Sequence, residues 1–153
     1  VKSIVGDLLK LANDGRFDVI MHGCNCYCTM GAGIAKAIRD QYPAAYEADL
    51  KTEKGNRDKL GTYSSADVSV GDYRFTVVNA YTQFNYRGPG IKADYQAISR
   101  VFQKIKHDFI GKRIAYPKLG AGLAGGDWET ISAIIDDELQ GEDHTLVVFQ
   151  SSE

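Results

Sequence analysis

No charge of one sign dominates this 153-residue sequence: 18 lysines and arginines stand against 20 aspartates and glutamates, for a net charge of −2. That balance gives no electrostatic case for direct affinity to nucleic acid or an anionic membrane. No long apolar run, signal peptide or lipidation motif is present, so an intracellular, cytoplasmic location is expected. The three cysteines, Cys24, Cys26 and Cys28, are odd in number and crowd into five residues. They make no disulfide framework and suit a reducing compartment. No internal repeat and no linker breaks the chain. One domain spanning residues 1–153 is expected, long enough for a real core, and its 44% hydrophobic and 25% charged content is that of an ordinary globular protein.

The richest stretch runs from Val19 to Ile38. It opens as an apolar strand, passes a polar turn, becomes a glycine loop at Gly31-Ala32-Gly33, and continues as a helix with Ile34, Ala35, Ala37, Ile38 and Tyr42 on one face. A helix start offers unpaired N–H groups and the positive end of its dipole, and glycine lets the backbone approach an anion. The loop is neither a P-loop nor the full dinucleotide fingerprint, for it lacks both a following Gly-Lys-Ser/Thr and a third glycine.

Elsewhere, strands are predicted over Ser3–Val5, Phe17–Met21, Thr62–Val70, Tyr73–Tyr81, Arg113–Tyr116 and Thr145–Gln150. Gly71-Asp72 joins the third and fourth as a hairpin. Asp7 and Asp94 look like helix caps, Pro43 ends the helix after the first glycine loop, and residues 44–59 read as polar with a helical turn or two around Tyr46 and Leu50. Trp128, Ile131, Ile134, Ile135 and Leu139 form the face of a last helix. The alternation predicts a three-layer α/β/α sandwich on a mixed, mostly parallel sheet. A second glycine loop, Pro117 to Gly126, also lies between a strand and a helix. In open α/β sheets ligands sit beyond the carboxyl ends of strands, so two backbone cradles there suggest one ligand with a diphosphate.

Gly6-Asp7, the strand ending in Asn25, Gly31-Ala32-Gly33-Ile34 and Pro117-Lys118-Leu119-Gly120-Ala121-Gly122-Leu123 resemble, in order and spacing, a macro domain, the ADP-ribose-binding fold. His22-Gly23-Cys24-Asn25-Cys26 with Met30-Gly31-Ala32-Gly33-Ile34-Ala35 is most similar to the yeast-type ADP-ribose-1″-phosphate phosphatases. The resemblance implies ADP-ribose or ADP-ribose-1″-phosphate as ligand, with ADP-ribosylated macromolecules as further partners. No cofactor and no metal are expected, because the backbone cradles supply the charge stabilisation, and a monomer is expected. It implies that Asp7, with Leu8 beside it, meets the adenine amino group. Asn25 would hold the distal ribose. Met30, Gly31, Ala32, Gly33 and Ile34 would line the ribose and diphosphate, and Gly120, Ala121, Gly122 and Leu123 would meet the diphosphate. Gln83, Phe84 and Asn85, after the fourth strand, would cover the distal ribose, and Arg87 would reach the terminal phosphate or stay in solvent.

His22 is the sharpest catalytic candidate, as acid, base or nucleophile toward a sugar phosphate, against the alternative of an inert strand histidine. Asp127 reads as the cap of the last helix, with a water-orienting role beside it. His107 and His144 read as surface residues. The recurrence of His22, Cys24, Cys26 and Cys28 invites a zinc reading. Residues two apart on a strand are roughly 6.5–7 Å apart, too far to converge on one ion, so buried thiols lining a pocket are the expectation. One macro-domain group strips ADP-ribose from acidic side chains with a lysine after the fourth strand and an aspartate in the second loop. Gln83 and Ala124 stand near those places here. The expected activity is hydrolysis of ADP-ribose-1″-phosphate to ADP-ribose and phosphate. The alternatives are a non-catalytic ADP-ribose reader and a hydrolase removing ADP-ribose from protein or nucleic acid.

Overall fold

The structure, a computed structural model, describes residues 1–88 and 90–150. Six strands, β1 (Lys2–Gly6), β2 (Val19–Cys24), β3 (Tyr63–Val70), β4 (Tyr73–Tyr81), β5 (Ile114–Tyr116) and β6 (His144–Phe149), form one sheet in the order β1-β6-β5-β2-β4-β3. Every neighbouring pair is parallel except the β3–β4 hairpin, which turns at Gly71-Asp72. Five helices, α1 (Leu8–Asn13), α2 (Gly33–Gln41), α3 (Pro43–Leu50), α4 (Tyr95–Asp108) and α5 (Trp128–Glu138), cover the two faces. Ile98, Val101, Phe102 and Ile105 of α4 and Ile131 and Ile135 of α5 pack on Met21, Val78 and Tyr116. Leu8, Leu9, Ile38 and Ala45 pack with Ile20, Val77 and Ala115 on the opposite face. This is the mixed three-layer sandwich the alternation predicts. β2 lies between β4 and β5 and is buried on both faces, which explains its near-continuous apolar run.

Two local expectations change. β2 runs to Cys24 rather than stopping at Met21, because His22, Gly23 and Cys24 stay in register with Asn79, Ala80 and Tyr81 of β4. The polar stretch after Pro43 holds a full helix, α3, with Pro43 at its start, where a missing N–H costs nothing. A 3₁₀ turn follows at Arg57–Lys59. His144 is not a surface residue: its side chain is 12% exposed and its Nδ1 lies 2.6 Å from the Tyr116 hydroxyl.

The site follows from the connectivity. β2 leads into α2 on one face of the sheet, while its parallel neighbour β5 leads into α5 on the other. The chain leaves the carboxyl ends of adjacent strands in opposite directions, and a crevice opens where it parts.

Candidate ligand-binding cleft

That crevice holds two adjoining cavities. One, of about 680 Å³, is lined by both glycine loops, with Asn25, Thr29, Gln83, Tyr86 and Lys118 among its walls. The other, of about 380 Å³, is mainly apolar, with Leu8, Leu9, Ala37, Val147 and Phe149 around it and Asp7 at its edge. Gly33, Ile34 and Pro117 line both, so the two form one elongated cleft. An apolar compartment with one carboxylate, next to a compartment walled by backbone amides, suits a ligand with a flat heterocycle at one end and phosphates in the middle.

The N-terminus of α2 faces this cleft through Gly33 and Ile34. Its N-cap, Ala32, makes no side-chain cap, and the first turn carries no acidic residue. The helices α1, α4 and α5 are each capped by an aspartate, Asp7, Asp94 and Asp127. The start of α2 thus leaves its amides and positive dipole end available to an anion. Gly33 reaches this geometry at φ +56, a backbone region that costs other residues energy. In the second loop, the Gly126 amide donates to the Gly120 carbonyl at 2.7 Å, pinning the loop closed behind the cleft.

Asn25 lines the cleft at the end of β2 and is 8% exposed. Its Oδ1 accepts from the Tyr27 amide at 2.8 Å, and its Nδ2 donates to Thr29 Oγ1 at 2.7 Å. The side chain therefore braces the β2–α2 loop and keeps one lone pair on Oδ1 for a ligand. Asp7 caps α1 through Oδ1, accepting from Leu9 and Lys10 amides at 3.0 and 3.3 Å. The cap and the cavity edge are compatible roles for one carboxylate.

Of the residues singled out from the sequence, Asp7, Leu8, Asn25, Gly31, Ala32, Gly33, Ile34, Gln83, Gly120, Gly122 and Leu123 come together on the cleft walls. Met30 instead packs in the core under α2, and Ala121 packs against the core beneath α4 and α5. Phe84 turns away to Tyr27 and to the Arg57 guanidinium, 3.8 Å above its ring. Asn85 spends its Oδ1 on the Tyr86 and Arg87 amides of its own loop. Arg87 is exposed, 5.1 Å from the Tyr86 ring. Thr29 and Tyr86 also line the cleft, though no motif in the sequence singles either one out.

His22 requires the largest correction. It is fully buried and lies outside the cleft lining, on the face of β2 covered by α3. Its Nε2–H donates to Asn79 Oδ1 at 2.6 Å, and Asn79 Nδ2 donates to the Ala45 carbonyl of α3 at 2.9 Å. Strand alternation sends His22 to one face and Gly23 to the other, and the imidazole is hydrogen-bonded within the core and does not line the cleft. Burial pushes its pKa down to about 4, against the raising effect of the Asn79 hydrogen bond. The unfolded chain, with a histidine near 6.5, then binds the extra proton between about pH 6.5 and pH 4. His22 therefore contributes full stability above pH 6.5 and loses it as the pH falls, by up to about 3 kcal/mol. In urea unfolding between pH 4.5 and 7.5, His22→Gln should flatten this slope relative to wild type. An unchanged slope would refute the assignment.

Asp127 is corrected as well. It is exposed, and its Oδ2 accepts from the Thr130 amide and hydroxyl at 3.1 and 2.7 Å, bonds that hold its carboxyl below the usual range. It is the cap of α5 and lies outside the cleft lining, so it orients no water there. The thiols separate too. Cys24 lines the cleft 3.5 Å from His22 Nε2, Cys26 donates to the Gln83 carbonyl, and Cys28 donates to the Asp49 carbonyl. The expectation of thiols along a pocket holds for Cys24 alone.

A family model described as Macro domain matches residues 21–135. A bacteriophage T4 protein, an uncharacterized 17.5 kDa protein of the tk-vs intergenic region, is 36% identical over 141 residues, 89% of this chain and 88% of its own. The chain belongs to the macro domain family. An ADP-ribose 1″-phosphate phosphatase of Lodderomyces elongisporus is 28% identical over 147 residues, 89% of this chain and 91% of that one. A DNA ADP-ribosyl glycohydrolase of Mycobacterium tuberculosis is 27% identical over 126 residues, where the match takes in 82% of this chain and 35% of the relative. The solved macrodomain of Thermus aquaticus DarG shares the fold at a TM-score of 0.72, over 98% of this chain and 97% of that one, with 21% identity.

Proposed function

We propose that this macro domain binds ADP-ribose along the joined cavities and hydrolyses ADP-ribose-1″-phosphate to ADP-ribose and phosphate. The observation that carries the reading is the shared wall of Gly33, Ile34 and Pro117, which sets an apolar compartment with Asp7 beside a compartment ringed by two amide-rich loops. Adenine suits the first, with Asp7 accepting from its amino group. The diphosphate suits the start of α2 and the second loop, which leaves the distal ribose against Asn25. The Lodderomyces phosphatase, similar across nearly the whole of both chains, supports the phosphate ester as substrate.

Among the described residues, the larger cavity is lined by no imidazole and no carboxylate. Water attacks phosphorus, the bond from phosphorus to the 1″ oxygen breaks, and the two protons of the water finish on the 1″ oxygen and on the departing phosphate. Backbone amides and Asn25 stabilise the charge. A second reading, release of ADP-ribose from DNA, is supported by the Mycobacterium glycohydrolase and by Tyr86, an aromatic wall that is 45% exposed and able to stack on a base.

The test measures phosphate release from ADP-ribose-1″-phosphate, ADP-ribose release from ADP-ribosylated single-stranded DNA, and ADP-ribose binding by calorimetry. Phosphate release that falls about a hundredfold in Asn25→Ala is the expected result. Release from DNA alone would favour the second reading. Binding with neither product would make the protein a reader.

A further inference from the structure

A diphosphate would bring negative charge into the cleft of a chain whose own net charge is −2. Among the described residues that line the two compartments, Asp7 is the one acid and Lys118 the one cation. Lys118 is exposed. Other lysines are engaged: Lys2 and Lys36 stand in ion pairs with Asp143 and Asp40, and Lys106 donates to the Gln140 carbonyl. Among the described residues, none accepts a hydrogen bond from the Lys118 ammonium.

Its backbone, by contrast, is held. The Leu119 amide donates to the Pro117 carbonyl at 2.6 Å, and the Ala121 amide donates to the Lys118 carbonyl at 3.2 Å. The Leu119 side chain is buried in the core. These contacts fix the point where the lysine stem leaves the second glycine loop. Pro117, one residue earlier, lines both compartments, whereas Lys118 lines the larger one only. The stem therefore starts at the junction of the two, on the side of the amide-rich loops. Gly31, Ala32 and Gly33, at the uncapped start of α2, line the same compartment.

We propose that Lys118 is a specificity-determining residue of the cleft, whose ammonium turns onto the diphosphate of the bound ligand. The inference rests on the reading of ADP-ribose as that ligand. The amides at the start of α2 and in the second loop offer fixed partial charges, and the lysine adds a full charge on a flexible four-carbon stem. A charge-assisted hydrogen bond is roughly twice as strong as a neutral one, and this ammonium gives up no protein partner to make it. The same charge opposes the repulsion of an incoming anion by Asp7 and by the acidic balance of the chain. ADP-ribose carries no 1″-phosphate, so its affinity reports on the diphosphate contact and not on a terminal phosphate.

Calorimetric titration of ADP-ribose at low and at high sodium chloride tests the proposal in wild type, Lys118→Met, Lys118→Arg and Lys112→Met, with a thermal melt of each protein. Lys112 is exposed and lies outside the cleft lining, so Lys112→Met removes the same charge elsewhere. Lys118→Met should bind about tenfold more weakly at low salt, and its affinity should fall less steeply with added salt than that of wild type. Lys118→Arg should recover most of the loss, Lys112→Met should bind like wild type, and Lys118→Met should melt within about 2 °C of wild type. Equal affinities in wild type and Lys118→Met would overturn the proposal. An equal loss in Lys112→Met would also overturn it, by reducing the effect to net charge, as would a loss that neither salt nor arginine alters, or a Lys118→Met variant that melts far below wild type. A wild type that fails to bind ADP-ribose would overturn the ligand reading and this inference with it, an outcome distinct from the others.

Discussion

Gly33→Glu should weaken ADP-ribose binding by at least about a hundredfold while the sheet and its helices remain folded, because like charges forced together cost several kcal/mol. Gly33 is the point where the two halves of the cleft meet, and it is also the first residue of α2. No atom lies within 4 Å of where its Cβ would stand, so a side chain there projects without clash. The glutamate would bring a negative charge to the helix end that lacks a cap and an acidic residue, the place argued to receive the diphosphate. A separate cost arises from the backbone, since φ +56 disfavours a residue with a Cβ by about 1–2 kcal/mol. Gly33→Ala bears this second cost without the charge and serves as the control, with a modest drop in melting temperature and a far smaller loss of affinity. Calorimetry on the pair separates the two effects. If the glutamate and alanine variants bound equally well, the anion would not sit at the start of α2.

Lys59→Met should lower stability by about 3 kcal/mol, the cost of leaving a buried charge unpaired, and the melting temperature by about 10 °C. Lys59 is 7% exposed, unusual for a lysine, and lies within a polar cluster under the β2–α2 loop. Its Nζ donates to the Cys26 carbonyl at 3.1 Å and to Cys28 Sγ at 3.6 Å, and sits 4.6 Å from the centre of the Tyr81 ring. The Tyr81 hydroxyl in turn donates to Asp49 Oδ1 at 2.6 Å, and Asp49 is 1% exposed. Burial raises the Asp49 pKa, and Tyr81 and the Lys59 charge act against it. Methionine keeps the stem of the lysine but removes the cation, so a buried carboxylate loses its compensating charge and the Cys26 carbonyl loses a donor. Because Cys26 and Cys28 belong to the loop that carries Asn25, ADP-ribose affinity should drop as well. Thermal melts should show Lys59→Met with Asp49→Leu more stable than Lys59→Met alone, since the double change removes the stranded carboxylate. A single variant that melted like wild type would show that the cluster contributes nothing to stability.

What could be read from the amino acids alone is what depends on local periodicity and short-range turn chemistry. The apolar run of β2, the faces of α2, α4 and α5, the Gly71-Asp72 turn and the aspartate caps of α1, α4 and α5 are each set by neighbours a few residues away. The two glycine loops were legible for the same reason, and their common placement after parallel strands predicted that they share one cleft, as they do in the folded chain. Which face a strand residue takes, and what meets it there, depends on partners far along the chain. His22 and Gly23 are adjacent in sequence, yet the pleat sends the histidine under α3, toward Asn79, and leaves the glycine in the cleft. Lys59 and Asp49 read as members of a polar stretch until α3 folds over β3 and β4 and both are buried. Local chemistry sufficed for most of the elements and for the two glycine loops. Tertiary packing alone determined which polar groups line the cleft and which are paired in the core, since burial and hydrogen-bond partnership are properties of the assembled sheet and its covering helices.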